Sequence, residues 1–226
     1  MRYVHLVLFA CVLCAAQVGV IRAEDKEEPP PDAAPEPGYE KLFNGKDLTG
    51  WEGDTKLWVV ENGLLIGRSP GIPKNNFLAS TATYDNFIMK FKFKIANNPK
   101  GDANSGCQFR SKRIPNSHEL YGYQADIGQG YWGCIYDESR RNKVLVKPEA
   151  DVIEKAAKKE GWNEYTITCD GDHITLELNG VKTADWTETE PADKVDRSGV
   201  FAVQIHSGGP MEVQFKDIRL KKLEKK

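Results

Sequence analysis

The sequence predicts an all-β domain in which two antiparallel sheets pack face to face as a sandwich. The first observation is the segment YDNFIMKFKFKI (84–95), where apolar residues alternate with lysines, the period of a strand with one buried face. The second is a series of turn sequences, such as Asn62-Gly63 and Asn179-Gly180, between short apolar runs, which is typical of hairpins. The third is a composition of 20 glycines, five tryptophans and eight tyrosines, which favours turn-rich β structure.

The elements are expected in a simple order along the chain. Residues 58–66 form a hairpin that turns at Asn62-Gly63, and residues 84–95 form a long strand. Residues 147–159 are the one helical segment, and it is short. In the last strand, Val213 and Phe215 have one parity and Ile218 the other, so a bulge is expected near Lys216-Asp217. The later strands cover residues 165–169, 174–178, 200–206 and 212–220, with a further strand beginning at Val181. Many strands separated by turns indicate a two-sheet sandwich.

The N-terminus predicts a targeting segment. Arg2 precedes an almost wholly apolar run, Val4 to Val20, and Ala23 suits the last position before cleavage. Residues 1–23 are therefore expected to be a secretory signal, too short for a stable membrane span, and the mature protein to be secreted or periplasmic. The alternative is a lipid anchor at Cys11, because Leu-Phe-Ala-Cys resembles a bacterial lipobox.

The sequence after residue 23 is expected to contain a linker followed by one domain. Residues 24–38 are acidic and proline-rich, so they are expected to be a disordered linker. Residues 39–224 suffice for a single well-buried domain. The net charge of −2 gives no support for a nucleic-acid partner, which requires a basic surface.

Three cysteines follow the signal: Cys107, Cys134 and Cys169. Their spacing fits no zinc pattern, and an odd number excludes a complete set of intrachain disulfides. Either all three are small buried thiols in strands, or Cys107 and Cys134 form a bridge in an oxidising compartment.

Three expected strands carry polar side chains unlike the Lys, Glu and Thr of an ordinary solvent-facing strand. These are Gln108 and Arg110 in NSGCQFR, Gln124 and Asp126 in GYQADI, and Gln204 and His206 in VQIH, with Asn104 on the parity of Gln108. Amide, guanidinium, carboxyl and imidazole groups form directional hydrogen bonds suited to hydroxyls and a carbonyl. If the strands are neighbours, they form one concave recognition face. The alternative is that these groups bond to one another across the sheet.

The ordered set of motifs resembles a known family. The motifs are LFNGKDLTGW, NSGCQFR, GYQADIGQGYWGCIYDESRR, GWNEYTITCDGDHITLELNG and VQIHSGGPMEVQFKDIRLKKL. Together they are similar to the bacterial 3-keto-disaccharide hydrolases, also described as 3-keto-glucoside 1,2-lyases and 3-keto-2-hydroxy-glucal hydratases, over residues 38–223. The resemblance implies a concanavalin A-like jelly roll whose concave sheet binds an oxidised disaccharide or glycoside. Many members have Tyr-Glu-x-Gln where this chain has Gly122, so no role of that glutamate is transferred.

The chemistry that the resemblance implies needs three groups. The ketone at C3 acidifies the C2 proton; a base removes it, an enolate forms, and the C1–oxygen bond breaks, after which water adds. Asp126 and His206 are the expected proton-transfer pair, with Asp126 as a base or as the group orienting His206. Arg110 is expected to hold the enolate oxygen and, if it lies beside Asp126, to keep that carboxyl ionised. The Glu-x-Asp-x-Glu strand of family 16 glycoside hydrolases is absent, and no strand offers the carboxyl pair of simple retaining hydrolysis.

The segment from Gly122 to Arg141 supplies further binding candidates. Tyr131 and Trp132 are expected to stack on a sugar ring from a glycine-rich rim loop, although Trp132 is alternatively a core residue. Glu138 and Arg140 are expected to turn back over the site, although they are alternatively a solvated charge cluster. The other expected binding residues are Asn104, Gln108, Gln124, Tyr136 and Gln204.

No cofactor or metal is expected, because no loop has a calcium-ligand spacing, although Asp126, Asp137 and Glu138 offer carboxylates that could approach a cation. Two other functions remain open at this stage. The same face suits a non-catalytic carbohydrate-binding module, and the tethered domain suits a structural role at the cell surface.

Overall fold

The computed structural model describes residues 29–98 and 100–224. The expected signal (1–23), with Cys11, and residues 24–28 of the expected linker lie outside the described residues. The elements, in chain order, are β1 (Glu40–Lys41), β2 (Trp51–Glu52), β3 (Trp58–Glu61), β4 (Leu64–Ser69), β5 (Asn76–Tyr84), β6 (Phe87–Asn97), β7 (Asn104–Arg113), β8 (Leu120–Gly128), β9 (Ile135–Glu138), β10 (Lys143–Val146), α1 (Ala150–Ala156), β11 (Asn163–Asp170), β12 (His173–Leu178), β13 (Val181–Thr187), β14 (Gly199–Ile205) and β15 (Met211–Lys222).

The strands form two antiparallel sheets, which confirms the predicted sandwich of the jelly-roll type. The first sheet has eight strands in the order β13-β12-β11-β6-β15-β4-β3, with β1 paired to β15. The second has seven, in the order β10-β9-β8-β7-β14-β5-β2. Non-consecutive strands are neighbours in both sheets, so the pairing depends on contacts between distant parts of the chain.

The core lies between the two sheets and follows the alternation of the strands. On β6, Phe87, Met89, Phe91 and Phe93 are at most 1% exposed, while the lysines between them point away from the core. Fully burying a large apolar side chain contributes roughly 1.5–3 kcal/mol, so the buried face of β6 makes a large contribution to the packing of the two sheets.

The predicted turns and the predicted bulge are confirmed. Asn62 and Gly63 join β3 to β4, and Asn179 and Gly180 join β12 to β13, all with positive φ. The pairing of β15 with β6 shifts register between Lys216 and Arg219. Asp217 there has φ +53°, and the irregularity lets Phe215 and Ile218 both face the core despite their different parity.

One hydroxyl joins the two sheets beneath the outer face of the second sheet. Tyr165, on β11 of the first sheet, donates a hydrogen bond to the backbone oxygen of Asp126 on β8 of the second (2.5 Å). The same hydroxyl accepts one from the backbone N–H of Gly133 (2.9 Å). Its ring stacks on Phe93 with centroids 5.2 Å apart. Tyr165 therefore fixes both β8 and the loop that follows it.

Residues 29–38 lie against the outer face of the first sheet, which differs from the expectation of a disordered linker. The Ala33 N–H donates to Asp217 Oδ2 (2.9 Å), and Glu36 pairs with Lys90 (2.7 Å) and Arg219 (3.2 Å). Composition predicted that this segment cannot bury apolar surface. Its acidic groups instead neutralise the cationic outer face that the strand alternation creates.

The described cysteines are free thiols. Cys107, Cys134 and Cys169 are all buried and unpaired, so the alternative of a Cys107–Cys134 bridge is not supported. The interpretation as buried thiols in strands is confirmed for Cys107 and Cys169, whereas Cys134 lies in the loop before β9. Burial raises the pKa of Cys169 to about 12, which keeps this thiol protonated and unreactive. The predicted helix is present only as α1, and no helix in the described ranges is long and apolar enough to cross a bilayer.

Replacing Tyr165 by phenylalanine tests the link between the sheets. Tyr165→Phe keeps the stacked ring but removes both hydrogen bonds of the hydroxyl, so the Gly133 N–H and the Asp126 oxygen keep only their longer bond to each other (3.3 Å), at a cost of about 1–3 kcal/mol. For a domain of this size, the melting temperature is expected to fall by roughly 2–4 °C for each kcal/mol. Differential scanning calorimetry measures the shift. Tyr131→Phe, at a side chain that is 43% exposed, is the control, and an equal melting temperature for both variants would contradict the prediction.

Candidate functional site

The three polar strands identified from the sequence are neighbours in the second sheet. Strand β7 pairs with β8 on one side and β14 on the other. Gln108 lies opposite Gln124, and Gly106 lies opposite Asp126. Because Cys107, Tyr123 and Val203 belong to the core, the alternating residues of these strands point to the outer face. The expected shared face therefore exists for the glutamines and Asp126.

A cavity of about 400 Å³ opens over this face. Its lining brings together side chains from β7, β8, β9 and the loops that follow β8 and β14. The described lining is Asp102, Ala103, Asn104, Gln124, Asp126, Gln129, Tyr131, Tyr136, Glu138, His206, Ser207, Gly208, Gly209, Pro210 and Met211. Seven expected site residues thus meet in one cavity: Asn104, Gln124, Asp126, Tyr131, Tyr136, Glu138 and His206.

Three buried glutamines lie beneath the cavity with unused hydrogen-bonding groups. Gln124 Nε2 donates to Asp126 Oδ1 (2.9 Å) and more weakly to Gln204 Oε1 (3.4 Å). Both amide atoms of Gln108, Gln124 Oε1 and Gln204 Nε2 have no partner within the described protein. Buried amides are nearly always bonded, so the alternative that these groups satisfy one another is only partly met. The face retains capacity for ligand hydroxyls or water.

Gly106 makes room for this arrangement. A Cβ at Gly106 would lie 2.5 Å from Gln124 Cδ, closer than two carbons approach. The absence of a side chain there allows the Gln124 amide to lie flat over β7 and reach Asp126. Any larger residue would displace that amide.

Asp126 is a buried carboxyl with an amide as its hydrogen-bond donor. It is 3% exposed, and burial raises its pKa well above the usual value of 3.8, opposed by the Gln124 hydrogen bond and reinforced by Glu138. Burial therefore favours the protonated, neutral form of Asp126. Since Gln124 donates to Oδ1, the acid proton belongs on Oδ2. The condition expected to keep Asp126 ionised, an adjacent Arg110, is not met, because the Arg110 guanidinium bonds elsewhere.

Arg110 lies at the opposite side of the sheet, which corrects the sequence-based assignment. Its backbone has φ +48°, within an irregularity in the β7–β8 pairing, and this reverses the direction of its side chain. The guanidinium donates to the backbone oxygens of Asp85 (2.7 Å) and Gly171 (2.8 Å) and to Asn86 Oδ1 (2.9 Å). Arg110 is a buried structural clamp between the sheets and does not line the cavity.

Glu138 and Tyr136 reach the cavity from β9. Burial, followed by the charges of Glu119 and Asp137, raises the pKa of Glu138 to about 7, so this carboxyl exchanges a proton near neutral pH. Burial and the nearby carboxylates also raise the pKa of Tyr136. Glu138 pairs with Gly122 in the β8–β9 register, four residues along β8 from Asp126.

His206 follows β14 and is half-buried at the cavity wall. Its Nδ1 lies 2.7 Å from the backbone oxygen of Ser207. A carbonyl oxygen only accepts, so Nδ1 carries a hydrogen in this contact and Nε2 of the neutral ring is left with its lone pair. The histidine is therefore oriented by backbone, in contrast to the expected orientation by Asp126.

Trp132 and Arg140 do not line the cavity. Trp132 is 7% exposed and stacks on Phe93 at 6.1 Å, so the core interpretation is right and ring stacking on a ligand in this cavity is excluded. Arg140 pairs with Asp137 (3.0 Å) and lies over the Tyr123 ring at 4.7 Å. Along β9, Asp137 alternates with Tyr136 and Glu138, so its side chain points into the sandwich. The ion pair with Asp137 holds Arg140 there, away from the cavity.

Several lining residues were not identified from the sequence. Asp102 and Gln129 lie in loops flanking β7 and β8, and the wall after His206 is built by Ser207 to Met211. Their contribution depends on loop positions, for which strand alternation gives no signal. In the described ranges, no group of three or more His, Cys, Asp or Glu side chains is arranged to hold a metal ion.

Comparison with solved structures identifies proteins of the same fold. A structure described as a "putative glycosyl hydrolase" from Parabacteroides distasonis has 23% sequence identity and a TM-score of 0.62, covering 83% of this chain and 94% of that one. The carbohydrate-binding module CBM66 from Bacillus subtilis has 16% identity and a TM-score of 0.58, covering 76% of this chain and 96% of that one. At these identities, the likeness shows the fold alone. No curated protein matches the sequence.

The family is shown by the sequence itself. The family model described as "3-keto-alpha-glucoside-1,2-lyase-like domain" matches residues 38–221, which include every described strand that lines the cavity. The match supports a carbohydrate-related function for the cavity on the second sheet. The chain therefore belongs to the family of 3-keto-alpha-glucoside-1,2-lyase-like domains.

Proposed function

We propose that this protein is a secreted carbohydrate-active enzyme that cleaves 3-keto glycosides by C2 proton abstraction, elimination and hydration. The observation that carries the proposal is one cavity lined by an oriented histidine, a buried carboxyl whose pKa is raised and a second carboxyl with a pKa of about 7. The reaction needs a base, a donor for the enolate oxygen and an acid for the leaving oxygen. The family membership supports the substrate class, and the apolar N-terminal run supports secretion.

His206 is proposed as the base. Its Nε2 takes the C2 proton, and the electron pair of the C2–H bond forms the C2–C3 double bond of an enolate, with the negative charge on the C3 oxygen. When the enolate collapses, the C1–oxygen bond breaks and a C1–C2 double bond remains. In the hydration step, the Glu138 carboxylate left by the elimination takes one proton from water as the water oxygen bonds to C1, and the proton held by His206 returns to C2, so atoms and charge balance.

Asp126 is proposed as the donor to the C3 oxygen. A neutral carboxyl in a water-poor site donates a hydrogen bond to a developing oxyanion without transferring the proton. The proton on Oδ2 is held there because Gln124 occupies Oδ1. This role replaces the one first assigned to Arg110.

Glu138 is proposed as the acid for the leaving oxygen. Its pKa of about 7 matches a group that must be protonated to donate and must then be reprotonated near neutral pH. The distance of Glu138 from Asp126 along the sheet allows the two carboxyls to act on different atoms of the substrate. Gln124 lines the cavity and supplies an amide group for a ring hydroxyl, while Gln108 and Gln204 are fully buried and do not line it.

A second candidate function is carbohydrate binding without turnover. Tyr131 is 43% exposed at the cavity rim, as expected of a stacking residue in a binding module. Incubation with 3-keto-trehalose or 3-keto-sucrose, followed by mass spectrometry, separates the candidates. Cleavage products support the enzyme, while saturable binding without products selects the module; absence of both favours a structural domain.

The base assignment predicts a large effect at one histidine. His206→Ala is expected to lower turnover of 3-keto-trehalose by about 10²–10⁴-fold, the usual contribution of a general base, and to abolish deuterium incorporation at C2 in D2O. Proton NMR measures both quantities. His173→Ala, at an exposed hairpin turn, is the matched control. Exchange that persists in folded His206→Ala protein would exclude His206 as the base.

The donor role of Asp126 predicts that two substitutions differ. Asparagine keeps a donor at the position of Oδ2 and an acceptor for Gln124, so Asp126→Asn is expected to retain turnover within about tenfold. Asp126→Leu removes the donor and is expected to lose about 10²–10³-fold in kcat, as for other oxyanion donors. Steady-state kinetics on folded variants test the difference. Equal losses in both variants would instead indicate that Asp126 transfers a proton.

The acid role of Glu138 predicts a pH dependence that varies with the leaving group. Because an acid must be protonated, kcat/KM for 3-keto-trehalose is expected to fall as pH rises through about 7. Glu138→Gln should lower this rate about 10²-fold and remove that decline. A 4-nitrophenyl 3-keto-glucoside, whose leaving group needs no acid, should react at nearly the wild-type rate.

Stopped-flow assays from pH 5 to pH 9 measure both substrates, with Glu177→Gln on β12 as the control variant. If Glu138→Gln slows both substrates equally, Glu138 has another role.

A further inference from the structure

The segment 29–38 crosses the outer face of the first sheet in a definite direction. Near its C-terminal end, Glu36 pairs with Arg219 (3.2 Å) on β15. Near its N-terminal end, the backbone oxygen of Pro30 accepts a hydrogen bond from Lys216 (2.6 Å) on the same strand. Followed towards the N-terminus, the segment therefore runs along β15 in the direction of decreasing residue number.

Three consecutive prolines, residues 29–31, favour the same direction further along the chain. Proline-rich segments are extended and stiff over several residues, and the residue before a proline is restricted to extended backbone. Glu28 precedes the first of these prolines, so we expect the chain to continue in the same direction. Residues 24–28, which lie outside the described residues, span up to about 17 Å when extended.

This direction leads to a cavity of about 770 Å³, which lies where β6 ends and β15 begins. After Lys216, the next residue of β15 that faces outward is Gln214, which is paired with Lys94 of β6. Both Gln214 and Lys94 line the cavity. Two residues of a strand span roughly 7 Å, so the cavity lies within the reach of residues 24–28.

The charges of this cavity and of the preceding segment are complementary. Lys94 and Lys159 contribute two cations to the lining. The described lining also contains Glu160 and Glu212, but Glu212 already pairs with an arginine of β4. Residues 24–28 have the sequence Glu-Asp-Lys-Glu-Glu, so four acids can oppose the two cations, and the single lysine can oppose the remaining carboxylate.

We propose that residues 24–28 dock in this cavity, where their acidic side chains pair with Lys94 and Lys159. The docked residues extend the ion pairs that hold residues 29–38 on the same face. Because this cavity and that of the candidate site share Gln129 in their linings, the docked segment lies beside the candidate site. The inference does not depend on the proposed function. Exposed ion pairs are individually weak and are screened by salt, so high ionic strength is expected to release the segment.

Zero-length cross-linking tests the docking. A water-soluble carbodiimide joins a carboxylate directly to a lysine amine in contact with it, and mass spectrometry identifies the joined peptides in the monomer band of a gel. Cross-links from residues 24–28 to Lys94 and Lys159 are expected at about 50 mM NaCl. Their yield should fall about threefold or more at 1 M NaCl, where the Debye length is about 3 Å. The pair Glu36–Lys90 (2.7 Å) is the positive control at low salt.

Two charge reversals separate docking from random contact. Lys159→Glu is expected to lower the yield of the Lys94 cross-link about two- to fivefold, because it replaces an attractive charge in the cavity by a repulsive one. Lys143→Glu makes the same change at an exposed position on β10 of the second sheet and should leave the yield unchanged.

Four results would overturn the proposal. The first is that wild-type residues 24–28 cross-link equally to Lys94 and Lys143, and the second is that the two variants give equal yields of the Lys94 cross-link. The third is that neither cavity lysine is joined while the positive control is. The fourth is that the cross-links occur in a dimer band alone, which would assign the cavity to the segment of a second copy.

Discussion

The hydroxyl of Tyr165 is the contact on which the site most depends. It links the backbone of Asp126 in one sheet to that of Gly133 in the loop beyond it, while its ring stacks between the sheets. Strand β8 and the rim loop therefore cannot shift independently of the first sheet. Everything that lines the cavity from this side, including Asp126, Gln129 and Tyr131, is positioned by a residue that never contacts the cavity.

The electrostatics of the cavity follow from the neighbours of Asp126. Its hydrogen-bond donor is the neutral amide of Gln124, and the adjoining polar groups on the face are further amides. Burial among neutral donors therefore disfavours the carboxylate.

Much of the fold could be predicted from the sequence because period-2 alternation and Asn-Gly turns are local signals. The alternation also placed Gln108, Gln124 and Gln204 correctly on one face, because residues that lie opposite each other on neighbouring strands point to the same face of the sheet. The predictions failed in two situations. The alternation of side chains breaks down at the irregularity that contains Arg110. Ion pairs and hydrogen bonds fix the positions of Arg140, which pairs with Asp137, and of residues 29–38, which contact the lysines of β6. Ring stacking by Trp132 was misjudged because the sequence of a loop does not reveal which of two adjacent aromatics enters the core. The far wall of the cavity depends on loop geometry, for which the sequence carried no pattern.

The strand order of the first sheet has a consequence for how the chain is made. Strand β15, the last element, lies between β6 and β4 and also pairs with β1. Until it is in place, β6 and β4 each expose an unpaired edge, and the aromatic face of β6 has only part of its cover. A nascent chain therefore cannot complete its first sheet before residue 222 has left the ribosome, and closure requires contacts across more than half the sequence, which slows folding. Throughout synthesis the growing polypeptide exposes strand edges with unpaired backbone groups. The yield of folded protein therefore depends on how long those edges are kept from pairing with other chains.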